Sequence, residues 1–254
     1  MSDDEAAERK WFFDHYEGAA AQIVDFLAGD GISLEGKRVA DIGAGDGIID
    51  LGLVHRAKPA ELVGFDIVAT NDLALVDRAR FHGVADALPP TLNFRTSTLT
   101  GLPAADGEFD FAITWSAFEH VREPIGLLRE VRRILSPTGI FFLQLWPFYH
   151  SERGSHLWDW FPEGFHHLVD DSQAVERTVR ERSTNEEWSE YMLREFRELN
   201  RITLDQLQLA LQVAGLEVRK LELMSNPVHI PREALRYPLS TLGIAGVKLL
   251  AVPA

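Results

Sequence analysis

The sequence predicts one α/β domain with a mostly parallel sheet, helices on both faces and one long insertion. An apolar stretch at Val39–Ile42 runs into a glycine-rich turn and then an apolar helix, which is typical of a buried parallel strand leading into a helix. Strand and helix patterns then alternate as far as residue 145. More than fifty residues separate that fifth strand from the helix at Thr203, far beyond the usual connection of about 2 to 6 residues.

The composition limits the classes of function. A chain of 254 residues with 46% hydrophobic content can bury one sizeable core. The absence of cysteine excludes disulfides, a thiolate nucleophile and cysteine-ligated metals. A net charge of −14 with scattered Lys and Arg predicts no nucleic-acid partner. The acidic start MSDDEAAERK has no apolar leader, and no apolar run approaches the roughly 20 residues that span a bilayer, so we expect a cytoplasmic protein without a membrane partner.

Residues 1–36 are predicted to form an N-terminal helical cap. The apolar spacing of residues 19–28 indicates an amphipathic helix that Gly29 ends. An aromatic cluster at residues 11–16 precedes it. These rings either pack on the core or form a flap over a ligand, and in the second case Tyr16 is the expected polar contact.

The turn after the first strand has the sequence Gly43-Ala44-Gly45-Asp46-Gly47 and follows the acid Asp41. Glycines let the backbone turn tightly and approach a ligand, and the next helix, predicted from Asp46, directs its N-terminal amides at the same place. Ile48 occupies the third glycine position of the dinucleotide fingerprint, and no Gly-Lys-Ser/Thr ending of a phosphate-binding P-loop is present. The pattern therefore disfavours both of these common nucleotide sites.

Polar residues follow the next two predicted strands. Asp66 ends the strand that begins at Glu61, where a carboxylate can accept hydrogen bonds from two ribose hydroxyls. Capping of a helix or turn is the alternative role. Ile67 could lie against an adenine face, and the loop after the strand at residues 92–96 carries Thr98 and Leu99.

The pattern D-x-G-x-G-x-G at residues 41–47 resembles motif I of class I S-adenosylmethionine-dependent methyltransferases. The segment GLPAADGEFDFAITWSAFEHV, residues 101–121, is similar to the region that follows in small-molecule members of that class. The resemblance implies a Rossmann-like sheet of seven strands with an antiparallel last strand beside the sixth. It also implies S-adenosylmethionine as cofactor and S-adenosylhomocysteine as product. The expected cofactor contacts are Asp41, Gly43, Ala44, Gly45, Gly47, Asp66, Ile67, Thr98, Leu99, Trp115 and Tyr16.

One position departs from that family. The loop after the third strand often carries an acid that accepts from the adenine amino group, whereas this chain has Thr98. A threonine hydroxyl can accept the same bond, and the backbone of Leu99 can serve the ring nitrogens.

The elements that complete the domain have clear boundaries. Pro124 suits the first turn of a helix that continues to Leu135, and Ser136–Gly139 separates it from the strand at residues 140–145. Thr203 and Gln206 form a capping box for a helix that Gly215 ends. Strands at residues 216–224 and 243–252 then close the sheet.

The insertion at residues 146–202 is predicted to be a substrate-binding lid. Its first part carries three of the six tryptophans and four of the nine histidines, and residues 186–199 have the spacing of an amphipathic helix. The histidines lack the i, i+4 spacing and H-E-x-x-H pattern of strong zinc sites, so we expect no metal. A magnesium ion on Asp159, Asp170 or Asp171 is the remaining metal alternative.

The predicted reaction is methyl transfer from S-adenosylmethionine to a small molecule. The aromatic insertion suits a hydroxyl of a sugar, polyketide, other secondary metabolite or glycan. The candidate catalytic residues are His120, His166, His167 and Glu119, although packing or capping is an alternative for each. N- or C-methylation of a metabolite or quinone, a non-catalytic S-adenosylmethionine-binding subunit, and a Rossmann oxidoreductase are the other classes. We expect a monomer or homodimer.

Overall fold

The structure is a computed structural model that describes residues 3–254, so Met1 and Ser2 of the predicted N-terminal cap lie outside the described residues. Seven strands form one sheet in the order β3-β2-β1-β4-β5-β7-β6. Their bounds are β1 Arg38–Ile42, β2 Glu61–Asp66, β3 Leu92–Thr96, β4 Phe109–Trp115, β5 Leu135–Leu145, β6 Leu216–Met224 and β7 Gly246–Pro253. The predicted α/β fold class is confirmed.

The last strand is antiparallel, as predicted. The amide of Ala245, just before β7, donates to the Met224 carbonyl at the end of β6, and the amide of Ala254 donates to the Gly215 carbonyl before β6 begins. Each end of β7 therefore lies beside the opposite end of β6. In the sheet, β7 lies between β5 and β6, so the last strand of the chain is inserted beside the sixth.

Ten α-helices lie in the described part of the chain. Their bounds are α1 Asp3–Phe13, α2 Ala20–Ala28, α3 Ile48–Ala57, α4 Asp72–Phe81, α5 Pro124–Ile134, α6 His166–Val169, α7 Ser172–Arg182, α8 Glu186–Glu198, α9 Leu204–Val213 and α10 Leu239–Leu242. A π-helical segment, Asp14–Ala19, joins α1 to α2, and short 3-10 helices cover Phe118–His120 and Arg232–Arg236. Among residues 3–254, no helix combines the length and apolar character needed to cross a bilayer.

The described chain divides into two compact units. The first contains the residues up to Thr114 together with Glu130–Phe141 and Pro253. Within it, β1 pairs in parallel with β2 and with β4, in a register that places Val39 opposite Leu62 on one side and Phe111 on the other. The apolar residues of β1 are buried, and because β1 pairs with a strand on each side, the loop that follows it starts from a fixed position.

The N-terminal helices of the first unit pack closely on α3. A Cβ atom added at Gly52 would lie 2.0 Å from the Tyr16 carbonyl oxygen, so only glycine permits this approach. The predicted N-terminal helical segment is therefore helical in its described part and contacts the helix that follows the glycine turn.

The second unit contains Trp115–Arg129, Phe142–Val252 and Ala254. Most of the insertion shares an apolar core with the segment between β6 and β7. The buried members of that core are Tyr149, Leu157, Trp160, Phe161, Phe165, Leu168, Val175, Val179, Met192, Leu193, Phe196, Leu199, Ala234 and Leu242. The helix expected at residues 186–199 is present as α8. The assignment of the insertion as a lid and of the whole chain as one domain stays a prediction.

Some predicted boundaries were wrong. Helix α3 begins at Ile48 and not at Asp46, because Gly47 has a φ of 77° and cannot belong to a right-handed helix. Strand β5 begins directly at Leu135, a core residue with 1% exposure, so no separate turn precedes it. Strand β7 begins at Gly246, three residues later than expected.

Candidate cofactor and catalytic sites

The turn after β1 depends on glycine at three alternate positions. Gly43, Gly45 and Gly47 have φ values of 87°, 56° and 77°, all in the left-handed region that favours glycine. The amides of Gly43 and Ala44 donate to the Phe65 carbonyl on β2, at 2.8 and 3.1 Å. These bonds hold the turn at the carboxyl edge of the sheet, where parallel α/β sheets bind ligands.

Asp66 ends β2 beside this turn. Its Oδ2 accepts a hydrogen bond of 2.9 Å from the Gly45 amide, and its Oδ1 accepts one of 2.9 Å from the Val68 amide. A carboxylate has about four acceptor positions, so two of them stay open to a ligand. A Cβ atom added at Gly45 would meet nothing within 4 Å, which places open space beside the acid.

The expected adenine contacts lie at the same edge of the first unit. Strands β2 and β3 pair in parallel with Asp66 opposite Thr96, so the loops after them are neighbours. Ile67 and Leu99 are exposed apolar side chains, at 57% and 44%. The Thr98 hydroxyl donates its proton to the Gly101 carbonyl at 3.4 Å. The Thr98 hydroxyl oxygen can therefore still accept a hydrogen bond from a ligand.

Asp41 has a different environment from the other predicted cofactor contacts. It is 4% exposed, and its Oδ1 has no hydrogen-bond partner. Burial raises its pKa to about 6, and the nearby Asp66 carboxylate adds to the shift. Asp50 on α3 is fully buried near it, and burial together with the Asp41 charge raises the pKa of Asp50 well above its usual value. Two buried carboxyl groups this close together disfavour each other's ionised form, so their ionisation beside the turn costs free energy.

Tyr16 lies against α3. Its hydroxyl and His55 Nδ1 are hydrogen-bonded at 2.8 Å. His55 lies eight residues after Gly47, which is about 12 Å along the helix axis. This position favours the packing role of Tyr16 over the flap role, and a cofactor contact by Tyr16 stays an untested prediction.

In the second unit, Trp115 is the last residue of β4. Its ring stacks on Phe142 with centroids 6.3 Å apart and an interplanar angle of 19°. The next residue, Ser116, donates through both its amide and its hydroxyl to Gln144 Oε1, at 2.8 Å in each case. Because Gln144 is buried, this contact fixes where the chain leaves the sheet.

The 3-10 turn Phe118–His120 is held by Asn200. The Asn200 side chain donates to the carbonyls of Phe118 and Val121 at 2.7 and 3.0 Å, and its backbone amide donates to the Glu119 carbonyl at 2.8 Å. Sequence reasoning missed Asn200 because it lies some eighty residues away, with no local motif. Its three bonds hold the backbone of the turn that carries Glu119 and His120.

The side chains of Glu119 and His120 have contrasting surroundings. Glu119 is 3% exposed, neither carboxyl oxygen has a hydrogen-bond partner, and burial raises its pKa to about 8. His120 Nδ1 lies 3.5 Å from Glu195 Oε2 on α8, and burial lowers the pKa of the imidazole. At neutral pH the His120 imidazole is thus neutral, and the carboxylate of Glu195 lies beside its Nδ1.

His156 joins this group, although the sequence singled it out only as one of four histidines in the insertion. Its ring centroid lies 5.3 Å from that of His120, and one ligand atom from each of Glu119, His120 and His156 lies within 4.8 Å of the others. The backbone of His156 is left-handed, with a φ of 63°. Burial lowers its pKa to about 3.

His166 and His167 are packed inside the insertion. His167 Nε2 donates to the Tyr149 carbonyl at 2.5 Å, and its side chain is buried. The His166 ring stacks on Phe161 with centroids 3.6 Å apart and an interplanar angle of 9°. These contacts favour packing for both histidines, and their predicted catalytic role stays untested.

The turn and the fold together define an α/β protein with a glycine turn joined to an acid at the carboxyl edge of its sheet. The model of a methyltransferase-domain family matches residues 12–221, and the chain belongs to this family. A ubiquinone biosynthesis O-methyltransferase from Cereibacter sphaeroides is 30% identical over 109 residues, which are 43% of this chain and 41% of the relative. The chain thus matches less than half the length of that relative.

Two solved structures share the fold. A methyltransferase from Haloferax volcanii in complex with the Trm112 activator has a TM-score of 0.55 at 20% identity, covering 99% of this chain and 95% of that one. Geranyl diphosphate C-methyltransferase from Streptomyces coelicolor, in complex with Mg²⁺, geranyl diphosphate and S-adenosylhomocysteine, has a TM-score of 0.57 at 12% identity, covering 92% of this chain and 79% of that one. The predicted family and the Rossmann-like methyltransferase fold are confirmed.

Proposed function

We propose that the chain transfers the methyl group of S-adenosylmethionine to a hydroxyl group of a small molecule. The observation that carries this proposal is the joining of Asp66 to the glycine turn through the amide of Gly45, beside open space. Membership of the methyltransferase-domain family supports the same reaction.

The cofactor residues suit their predicted duties. Asp66 has acceptor positions for the two ribose hydroxyls, and a carboxylate is suited to that bidentate contact. Ile67 and Leu99 offer exposed apolar surface for the adenine ring, and the Thr98 oxygen can accept from its amino group. The glycines at 43 and 45 let the methionine part lie against the backbone. When bound, the cofactor supplies an electrophilic methyl group on a good leaving group, so the protein's task is mainly alignment and exclusion of water.

An oxygen acceptor is favoured by the relatives. The Cereibacter sphaeroides relative is named as an O-methyltransferase of ubiquinone biosynthesis. In the second unit, Trp146 and Trp158 are half-buried with ring centroids 6.0 Å apart, and Trp158 also stacks on His156 at 5.8 Å. Flat aromatic walls of this kind suit a ring-shaped acceptor, either an aromatic ring or the apolar face of a sugar.

We propose that His120 is the base that accepts the proton of the acceptor hydroxyl. Its imidazole is neutral, and Glu195 stabilises the imidazolium that proton transfer would form. Glu119 is a weaker candidate because its raised pKa keeps it protonated at neutral pH. The expectations of no nucleic-acid partner and of a monomer or homodimer stay predictions.

A labelled-methyl transfer screen tests the function. Purified protein is incubated with S-adenosyl[methyl-¹⁴C]methionine and panels of catechols and quinols, sugars, polyketide phenols and amines. We expect transfer to a hydroxyl-bearing ring compound, with the label in an ether, and strongly reduced transfer by Asp66→Ala. Transfer only to amines would overturn the hydroxyl proposal, and cofactor binding without transfer to any panel would favour the non-catalytic subunit.

A further inference from the structure

The strongest unexplained feature of the second unit is the group formed by the buried Glu119 and the partly buried His120 and His156. Both Glu119 carboxyl oxygens and the Nε2 of His156 are buried without a hydrogen-bond partner. A buried carboxyl or imidazole that makes no hydrogen bond costs free energy unless another ligand satisfies it. One ligand atom from each of Glu119, His120 and His156 lies within 4.8 Å of the others.

We propose that Glu119, His120 and His156 bind a divalent transition-metal ion of the zinc and iron(II) kind. Two imidazoles and one carboxylate form the ligand set of known catalytic zinc and non-haem iron sites, and imidazole disfavours magnesium and calcium. Metal–ligand bonds of about 2.0 to 2.2 Å require ligand atoms about 3.3 Å apart in a tetrahedral site.

The surroundings of the three residues support a metal site. Glu195 lies behind His120 Nδ1 at 3.5 Å, and a carboxylate that holds one nitrogen of a ligating histidine orients the other toward the ion. Asn200 fixes the turn that carries Glu119 and His120. The left-handed backbone of His156 is a costly conformation of the kind that concentrates at functional sites.

The ion has two consequences. It would tie the turn after β4 to the insertion through His156, and it would use the nitrogen that His120 needs as a base. The metal-free protein is therefore the form in which His120 can accept a proton. The proposal goes beyond the proposed function and does not depend on it, because binding is measured without cofactor or acceptor.

Calorimetric titration of Zn²⁺ into EDTA-treated full-length protein tests the site. We expect saturable binding of a single ion per chain and a rise in Tm, with no comparable binding of Mg²⁺. His156→Ala and Glu119→Gln should abolish this binding, and Glu195→Gln should weaken it about 10- to 100-fold. The exposed His229 provides a matched control, since His229→Ala should bind Zn²⁺ like the wild type.

The visible absorption spectrum of the Co²⁺-loaded wild type gives a second measurement that does not require any variant to fold. Bands of a four- or five-coordinate site with nitrogen and oxygen ligands, lost on addition of Zn²⁺, support the proposal. Equal Zn²⁺ affinity in His156→Ala and His229→Ala, or only the spectrum of hydrated Co²⁺, would overturn it.

Discussion

The amide of Gly45 donates a hydrogen bond of 2.9 Å to Asp66 Oδ2, which joins the turn after β1 to the end of β2. Asp66 therefore has a structural bond on the side of the turn and open acceptor positions elsewhere. The same acid both holds the turn in shape and faces the predicted ribose.

Replacement of Asp66 is expected to weaken binding of S-adenosylhomocysteine. Asp66→Ala removes a charged acceptor, which is worth about 1.5 to 3 kcal/mol, or roughly 10- to 150-fold in Kd. Asp66→Asn keeps one acceptor oxygen and should lie between the wild type and Asp66→Ala. Isothermal titration calorimetry measures both, with the exposed Asp25→Ala as control. An unchanged Kd in Asp66→Ala would remove Asp66 from the site.

Two glycine substitutions should separate ligand binding from stability. Gly64→Ala would place a Cβ 2.6 Å from the Phe94 ring and 2.8 Å from Ala44 Cβ, so we expect a loss of about 1 to 3 kcal/mol in the free energy of unfolding. Gly45→Ala meets no neighbouring atom and should cost only about 1 kcal/mol for its left-handed backbone. It should nevertheless weaken cofactor binding, because its Cβ enters the ligand space.

Urea unfolding and calorimetry on both variants check this contrast. If Gly45→Ala bound S-adenosylhomocysteine as tightly as the wild type, the backbone of the turn would not lie against the cofactor.

The buried Asp41–Asp50 pair predicts a pH dependence of stability. Folding raises the pKa of Asp41 to about 6 and that of Asp50 well above its ordinary value. Below about pH 4 both carboxyls are protonated in the folded and unfolded chains and cost nothing. As the pH rises, the unfolded chain releases these protons first, so the free energy of unfolding falls through about pH 6 and beyond.

Asp50→Asn removes one buried carboxyl and relieves the other. The variant should lose less stability than the wild type between pH 4 and pH 8, because the raised pKa of Asp50 is gone. Urea unfolding across that range measures the difference, with exposed Asp25→Asn as control. Parallel pH curves for the wild type and Asp50→Asn would contradict the assigned pKa shifts.

His120→Ala tests the proton acceptor. General bases contribute about 10²- to 10⁴-fold, so kcat should fall by that factor with the identified hydroxyl acceptor. The Kd for S-adenosylhomocysteine should change little, since the cofactor contacts are assigned to other residues. His229→Ala is the control. If metal-free His120→Ala had the same kcat as the wild type, His120 would not be the base.

The sequence predicted best those features whose residues are close together in the chain. The glycine turn and Asp66 could be predicted because a strand, its terminal acid and the next helix are contiguous in the sequence. Each glycine of the turn has the left-handed φ that its residue type suggests. The capping box of Thr203 and Gln206 was equally local and is present.

The rest depended on contacts between distant segments. His156 meets His120 only after the insertion folds, and no motif relates the two positions. The same holds for Asn200 and the turn at Glu119. Conversely, His166 and His167 attracted attention as an adjacent pair, but stacking on Phe161 and a bond to Tyr149 occupy their rings.

The most direct test of the central claim is calorimetric titration of the wild-type protein with S-adenosylhomocysteine and, separately, with NAD⁺. The glycine turn with Ile48 and the acid at Asp66 predict saturable heat with S-adenosylhomocysteine and none with NAD⁺. Heat with NAD⁺ alone, or no heat with S-adenosylhomocysteine, would contradict the assignment of this chain as an S-adenosylmethionine-dependent methyltransferase.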